Sequence, residues 1–327
     1  MVLVCGGAGY IGSHTVKALS EAGHRVVVLD NLSTGHAQAI RDVTLVEGDV
    51  RDTDLVESTL RRYGVTDVVH FAGLLSVEES IREPARYYKQ NVLGSLSLLD
   101  AMVTTGVQRF VFSSSCSIYG VPVSSPINET HPTEPINVYG ESKLLVERAL
   151  GHYGRAYGLR SISLRYFNAA GADPGGELGE DHDPEVHLIP CAIRAARNGL
   201  SLKVYGNDYE TADGTCERDY VHVSDLAAAH ICALDALATG SAAVRAYNLG
   251  TGQTHSVREV IGSVEKASGC QVKTEETERR PGDPPVLCAS AERIDRELSW
   301  RPIYSNLDDI VETAWRWHIK HPGGFER

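Results

Sequence analysis

Short apolar runs, separated by longer stretches of mixed periodicity, set the rhythm of the first half of the chain. "MVLVC", "RVVVLD", "DVVHFAG", "RFVFSSS" and "SISLRYF" are nearly continuous in hydrophobic character over strand length. That is the pattern of strands covered on both faces of a parallel sheet. Between them, helical spacing predicts helices over Ile11–Ala22, Asp52–Arg62, Pro84–Thr105 and Tyr139–Tyr157. Strand, helix and strand repeated in this order imply right-handed crossovers and an α/β, doubly wound parallel sheet of Rossmann type. After about residue 168 the rhythm fails, and Gly- and Asp-rich segments such as "GADPGGELGEDHDPEVH" and "YGNDYETADGTCERDY" take over. The expected organisation is a nucleotide-binding domain over 1–168, joined by part of 221–250, and a smaller, loop-rich mixed α/β domain over 169–327. No repeat or flexible linker separates the two, so they are expected to pack together.

Composition narrows the class. With 327 residues, 42% hydrophobic and 23% charged, the chain can bury a full core. No stretch approaches the roughly 18 uninterrupted apolar residues of a spanning helix, and no basic segment precedes an apolar one at the start. Seven scattered cysteines without a Cys-x-x-Cys pair suit reduced thiols in a cytoplasm. A net charge of −12 argues against nucleic acid as a partner. An anionic small substrate would have to be met by local arginines.

The first candidate chemistry is "CGGAGYIGSH", with Gly6, Gly9 and Gly12 between a strand and a helix. Gly6 would permit the tight turn, Gly9 the approach of a pyrophosphate, and Gly12 close packing of helix on sheet. A ligand-free glycine turn would look the same. Asp30, about twenty residues on at the end of the next strand, tips the balance, because a carboxylate there accepts from an adenosine ribose and repels a 2′-phosphate. The nearest downstream arginine is Arg41, so NAD is expected rather than NADP. "EGDVRD" places Asp49 at a further strand end, where an adenine amino group could be read.

The second is "FSSSCSIYG" followed by "VYGESKLLVE". Tyr139 and Lys143, four apart, share one helix face. A lysine ammonium and a nicotinamide cation near the phenol would favour the phenolate, making Tyr139 a general base for a sugar hydroxyl. Ser115, delivered from a strand end, could relay the proton.

These motifs, together with "LDNLSTG", "HFAGL", "SLRYFNAAGA", "DGTCERDYVHV", "YNLGTG" and "RRPGDPP", resemble the UDP-galactose 4-epimerases of the extended short-chain dehydrogenase/reductase family, over almost the whole length. The resemblance implies reversible epimerisation at carbon 4 of a UDP-hexose through a 4-keto intermediate, with tightly bound NAD. It further implies that Tyr10 and Ile11 lie over the pyrophosphate, Asp30 and Asn31 at the adenosine ribose, and Asp49 and Val50 at the adenine. Phe71, Ala72 and Gly73 fall in the loop after the fourth strand. Gln90 and Phe167 fall beside the nicotinamide, and Ser115, Tyr139 and Lys143 are the catalytic trio. Asn168, His187, Leu188, Tyr205, Arg218, Arg280 and Asp283 fall on the nucleotide-sugar side, where two arginine forks would suit a pyrophosphate. Leu287 stands at the position beside the sugar, between a tyrosine that would crowd an N-acetyl group and a small residue that would admit it. A homodimer through the Pro84–Thr105 and Tyr139–Tyr157 helices is implied as well.

The chain departs from the family pattern at several points. Leu75 replaces a lysine near the cofactor phosphates, which removes a favourable charge. His187 and Gln90 replace asparagines. An acid pair after the strand-end serine would mark a 4,6-dehydratase, but Cys116 and Ser117 stand there. A non-catalytic NAD sensor would be expected to lose the tyrosine or lysine, and both are present. His182 and His187, among Asp181, Asp183 and Glu185, lack tight ligand spacing. They read as a solvated acidic loop, with no metal expected.

Overall fold

The computed structural model describes residues 1–240, 244–280 and 283–325. Its strands are β1 (Val2–Cys5), β2 (Val26–Asp30), β3 (Thr44–Glu47), β4 (Asp67–His70), β5 (Arg109–Ser115), β6 (Arg160–Tyr166), β7 (Asn168–Ala170), β8 (Ser201–Tyr205), β9 (Glu217–His222), β10 (Val244–Leu249), β11 (Thr254–Ser256), β12 (Lys273–Thr277) and β13 (Val286–Leu287). The α-helices are α1 (Tyr10–Glu21), α2 (Thr53–Tyr63), α3 (Val77–Arg82), α4 (Pro84–Tyr87), α5 (Gly94–Thr105), α6 (Val138–Tyr157), α7 (Leu188–Asn198), α8 (Val223–Ala238), α9 (Val257–Ser268), α10 (Glu292–Leu298) and α11 (Leu307–Lys320).

Seven strands form one parallel sheet in the order β10-β6-β5-β4-β1-β2-β3. Alternation along β1 explains its two cores. Val2 and Val4 face α1 and α8, packing with Val16, Leu19 and Leu234. Leu3 and Cys5 face the other way, against Val56, Leu98 and Val146 of α2, α5 and α6. Both faces are covered, so the central strands are buried along almost their whole length, polar positions of β4, β5 and β6 included. The last strand, β10, comes from the second half of the chain and extends the sheet beside β6.

The segment expected as one helix over Pro84–Thr105 is continuous but not uniform. Tyr88–Leu93 winds as a π-helix between α4 and α5. That one wide turn carries Gln90 and Asn91, two amide side chains at the site described below.

A third core forms in the second lobe, where Ile193 and Ala196 of α7 pack with Val260 and Val264 of α9 and Ile310 and Val311 of α11. Two small sheets complete it: β7, β11 and β13 around β9, and β8 with β12. Order reverses in the large sheet between β1 and β4, which opens a crevice beyond the carboxyl ends of the strands.

Candidate active site

That crevice is a cavity of about 1330 Å³, and residues from both lobes line it. The glycine loop forms its floor. Gly6 takes a positive φ of 77°, and a Cβ there would sit 2.4 Å from the Ala72 nitrogen. A Cβ on Gly12 would meet the Gly6 carbonyl oxygen at 2.2 Å, so α1 packs on the turn only without a side chain. Gly9 is different. Its missing Cβ has only the Gly6 oxygen nearby, at 3.5 Å, and as N-cap it offers α1 no side-chain partner. Free helix N–H groups therefore face the cavity beside Tyr10 and Ile11.

Asp30 is buried at the end of β2. Its carboxylate accepts from the Ala8 N–H at 2.9 Å and the Leu32 N–H at 2.8 Å. Burial raises its pKa while those two bonds pull the other way. It thus braces the glycine loop and still presents lone pairs to the cavity. Asp49 is less available than its sequence position suggests. Arg51 grips its carboxylate in a bidentate pair at 2.8 Å, and Asn31 donates to it at 3.1 Å. These partners lower its pKa to about 2. Val50, Phe71, Ala72 and Gly73 complete this wall.

Gln90 also lines the cavity, and its Oε1 is buried without a hydrogen-bond partner. An orphaned amide oxygen, an uncapped helix start and an opening over Gly9 are what a bound dinucleotide would satisfy. The residues present fit NAD.

Ser115, Tyr139 and Lys143 meet on the opposite wall. Gly140 makes this possible: a Cβ there would lie 2.4 Å from the Ser117 carbonyl oxygen, so the first turn of α6 closes directly on the turn after β5. Asn137 caps that turn, accepting from Gly140 N–H at 2.8 Å. Burial pushes the Tyr139 phenol up to about 12, against a hydrogen bond with Ser115 that lowers it. Lys143 reaches the same wall from the next turn of α6. Its Nζ donates to the Ser113 carbonyl at 2.8 Å and stands 5.8 Å from the Tyr139 ring centre. Burial holds its own pKa down, at about 8. In the free chain Tyr139 is protonated.

The second lobe supplies the remaining wall. Phe167 is buried beneath it, and Asn168 donates to the Asp219 carbonyl at 3.1 Å. Arg218 is mostly shielded and ion-paired with Asp283, and it also donates to the Pro284 carbonyl. Asp283 therefore holds this arginine in place. Arg280 is exposed and stacks on Tyr205, its guanidinium carbon 4.0 Å from the ring centre. Pro281 and Gly282 of the "RRPGDPP" motif lie outside the described residues. Leu188 and Leu287 line the cavity, as does Leu75 on the cofactor side.

The acidic loop is not the solvated segment its composition suggests. Glu180 and Glu185 are nearly inaccessible, with 6% and 8% of their side chains exposed. His187 Nδ1 lies 2.7 Å from Glu180 and 3.1 Å from Glu185. Its ring is committed to these carboxylates, which leaves Nε2 for any ligand. Burial disfavours the charged imidazoles, but the two carboxylates outweigh it and raise His182 to about 9 and His187 to about 10.

Sequence reasoning missed three further contributors. Asn91 bridges the loop after β4 to α6, accepting from Leu74 N–H at 2.8 Å and donating to Ser142 at 3.0 Å. Asp219 is fully buried and gathers the N–H groups of Thr251, Gly252 and Ala289. Glu180 anchors both histidines. Asn91 and Asp219 signal themselves only as polar residues beside apolar positions, and Glu180 carries no signal beyond the acidic stretch it belongs to.

The fold and this two-lobed site define a class. The family model described as "NAD dependent epimerase/dehydratase family" matches residues 2–250, and the chain belongs to that family. It is 47% identical to the UDP-glucose 4-epimerase of Halalkalibacterium halodurans, over 99% of this chain and 97% of that one. Among solved structures it resembles UDP-glucose 4-epimerase from Brucella ovis in complex with NAD, at 50% identity and TM-score 0.93, covering 96% and 97% of the two chains. The Bifidobacterium longum enzyme in complex with NAD+ and UDP is 38% identical, with TM-score 0.94 over 99% of each chain.

Proposed function

We propose that the chain interconverts UDP-galactose and UDP-glucose by reversible inversion at carbon 4 of the hexose, with NAD resident throughout. The observation that carries this reading is a single cavity with a dinucleotide floor, a Ser115–Tyr139 pair on one wall, and Arg218 and Arg280 on the other. NAD, when bound, would supply the acceptor and later the donor of the carbon-4 hydride, and a positive charge.

The chain's own residues do the rest. That added charge, with Lys143 close by, offsets the burial that keeps Tyr139 protonated. Ionised Tyr139 takes the 4-hydroxyl proton, directly or through Ser115, as the hydride departs and a 4-keto sugar forms. Arg218, fixed by Asp283, and Arg280, stacked on Tyr205, hold the diphosphate while the sugar turns about its link and presents its other face. Proton and hydride then return. Binding energy from the nucleotide, remote from the reacting carbon, retains the intermediate.

Several finer points belong to the same reading. Asp30 and Asn31 serve the adenosine ribose, and Asp49 keeps its place at the adenine edge through Arg51. Residues 1–168 with part of 221–250 bind the cofactor, and 169–327 bind the sugar nucleotide. A second copy pairs through α5 and α6, supported by the exposed Leu93 and Tyr157 near their ends. The cytoplasm fits cysteines that are all unpaired. No described helix is long and apolar enough to cross a membrane.

The purified chain should convert UDP-galactose to UDP-glucose without added reductant. Tyr139→Phe should lower kcat by about 10²–10⁴-fold with NAD still bound; wild-type turnover in that variant would remove Tyr139 from the mechanism. Release of a 4-keto-6-deoxy sugar would favour a dehydratase instead. Half-buried Leu287 keeps an N-acetylated substrate in play. Side-by-side assays of UDP-galactose and UDP-N-acetylgalactosamine, wild type against Leu287→Tyr, decide it: wild type accepting both and the variant losing the acetylated sugar would show dual use.

A further inference from the structure

We propose that Glu180, His182, Glu185 and His187 bind one divalent transition-metal ion of the zinc class, at the seam between the glycine-loop helix and α7. Four side chains from one eight-residue segment bring their ligand atoms within 4.8 Å of one another, and among the described residues this is the one such group. The pairs run from 2.7 Å (His187 Nδ1 to Glu180) through 3.1 Å (His182 Nδ1 to Glu180, His187 Nδ1 to Glu185) to 3.7 Å (His182 Nδ1 to Glu185). A tetrahedral ion with bonds of about 2.0–2.2 Å places its ligand atoms roughly 3.3–3.6 Å apart. The four histidine–carboxylate separations bracket that value.

A second observation points to a missing occupant. His182 Nδ1 is buried and lacks a hydrogen-bond partner, although a carboxylate oxygen stands 3.1 Å away. The nitrogen and the carboxylate stand within reach of each other without hydrogen-bond geometry, a separation that a shared ion would account for.

The donor set selects the ion. Two imidazole nitrogens with two carboxylate oxygens suit zinc, cobalt or nickel, whereas calcium and magnesium prefer all-oxygen shells. Cys191 is nearby, its Sγ 3.6 Å from the Glu185 carbonyl oxygen, but it does not belong to the convergent group of four. Four protein ligands make a closed, structural site. Its role would be to tie two walls together: the His182 ring meets Tyr10 at the start of α1 edge-on, with centres 6.2 Å apart, and His187 is the N-cap of α7. An entry path exists through His187, 39% of whose side chain is open.

The test uses the full chain with NAD bound, stripped of metal by chelator and titrated with Zn²⁺, then with Co²⁺. One zinc per chain should survive gel filtration and raise the melting temperature. Cobalt should give the intense visible bands of a tetrahedral site, with no thiolate charge-transfer band. Glu180→Gln and His182→Gln should each weaken zinc binding by at least about tenfold, while Cys270→Ser should leave it unchanged. Retained NAD and far-UV circular dichroism establish that each variant folds, and Glu185→Gln replaces any that does not. Sub-stoichiometric zinc, equal affinity in the cluster variants, or a thiolate band would overturn the site and leave two imidazolium–carboxylate pairs in its place. Metal content is read separately from epimerisation, so failure here leaves the proposed reaction standing.

Discussion

At the residue scale, position and environment divide the work. Tyr139, Lys143 and Ser115 can be picked out in the sequence because a four-residue helical spacing and a strand end each fix a direction. Their electrostatics cannot, since they follow from burial. The Lys143 ammonium satisfies the Ser113 carbonyl, and the Tyr139 phenol rises to about 12. Asp49 and His187 both line the cavity, but their partners, Arg51 and Glu180, sit in irregular segments without a period to reveal them. Leu75 offers a direct probe. It is 38% exposed on the cofactor side of the cavity, so a lysine there adds one charge near the expected phosphates without disturbing packing. An exposed pair of this kind contributes about 0.2–1 kcal/mol. Leu75→Lys should therefore slow NAD dissociation by roughly 1.5- to 5-fold, measured by loss of bound-cofactor fluorescence on dilution. Unchanged or faster release would place Leu75 away from the phosphates.

At the element scale, the five apolar strands and their helices follow from periodicity because both faces of the sheet demand it. Elements that announce themselves least are those held by tertiary contacts: β3, an edge strand of four residues with exposed ends and a half-buried middle, and β10, which reaches the sheet from the second half of the chain. The π-turn at Tyr88–Leu93 has no signature in the pattern either. Placement of α6 depends on a buried pair. Glu147 accepts from Arg165 at 3.0 and 2.6 Å and from Ser114 at 2.6 Å, and Arg165 continues to the Tyr119 hydroxyl and thence to Asn248. This network locks α6, β5, β6 and β10 together behind Ser115, Tyr139 and Lys143. Glu147→Ala would leave a buried guanidinium unpaired, at a cost of about 3–5 kcal/mol. Denaturant unfolding should show that loss in the midpoint; a change below about 1 kcal/mol would mean Arg165 finds another partner or water.

At the scale of the whole molecule, two lobes line one cavity, and His14, His70, His222 and His230 are buried within them. Burial lowers His14 and His230 to about 4, and His70 and His222 to about 3, from an ordinary value of 6.5. Above pH 6.5 these rings are neutral whether the chain is folded or not. As pH falls below 6.5, the unfolded chain binds protons that the folded one refuses, so stability declines progressively toward pH 4. Thermal melts across that range should show a falling midpoint, and a flat profile would contradict the assignment of neutral buried rings.

The central claim is that one cavity removes a hydride from carbon 4 and returns it to the same carbon on the other face. It is tested most directly with UDP-galactose carrying tritium at carbon 4, turned over by the purified chain in the presence of excess unlabelled NAD. Tritium retained at carbon 4 of the UDP-glucose product, with none in water or in the free cofactor pool, is the result the structure predicts. Tritium appearing in solvent or in free reduced cofactor would contradict it.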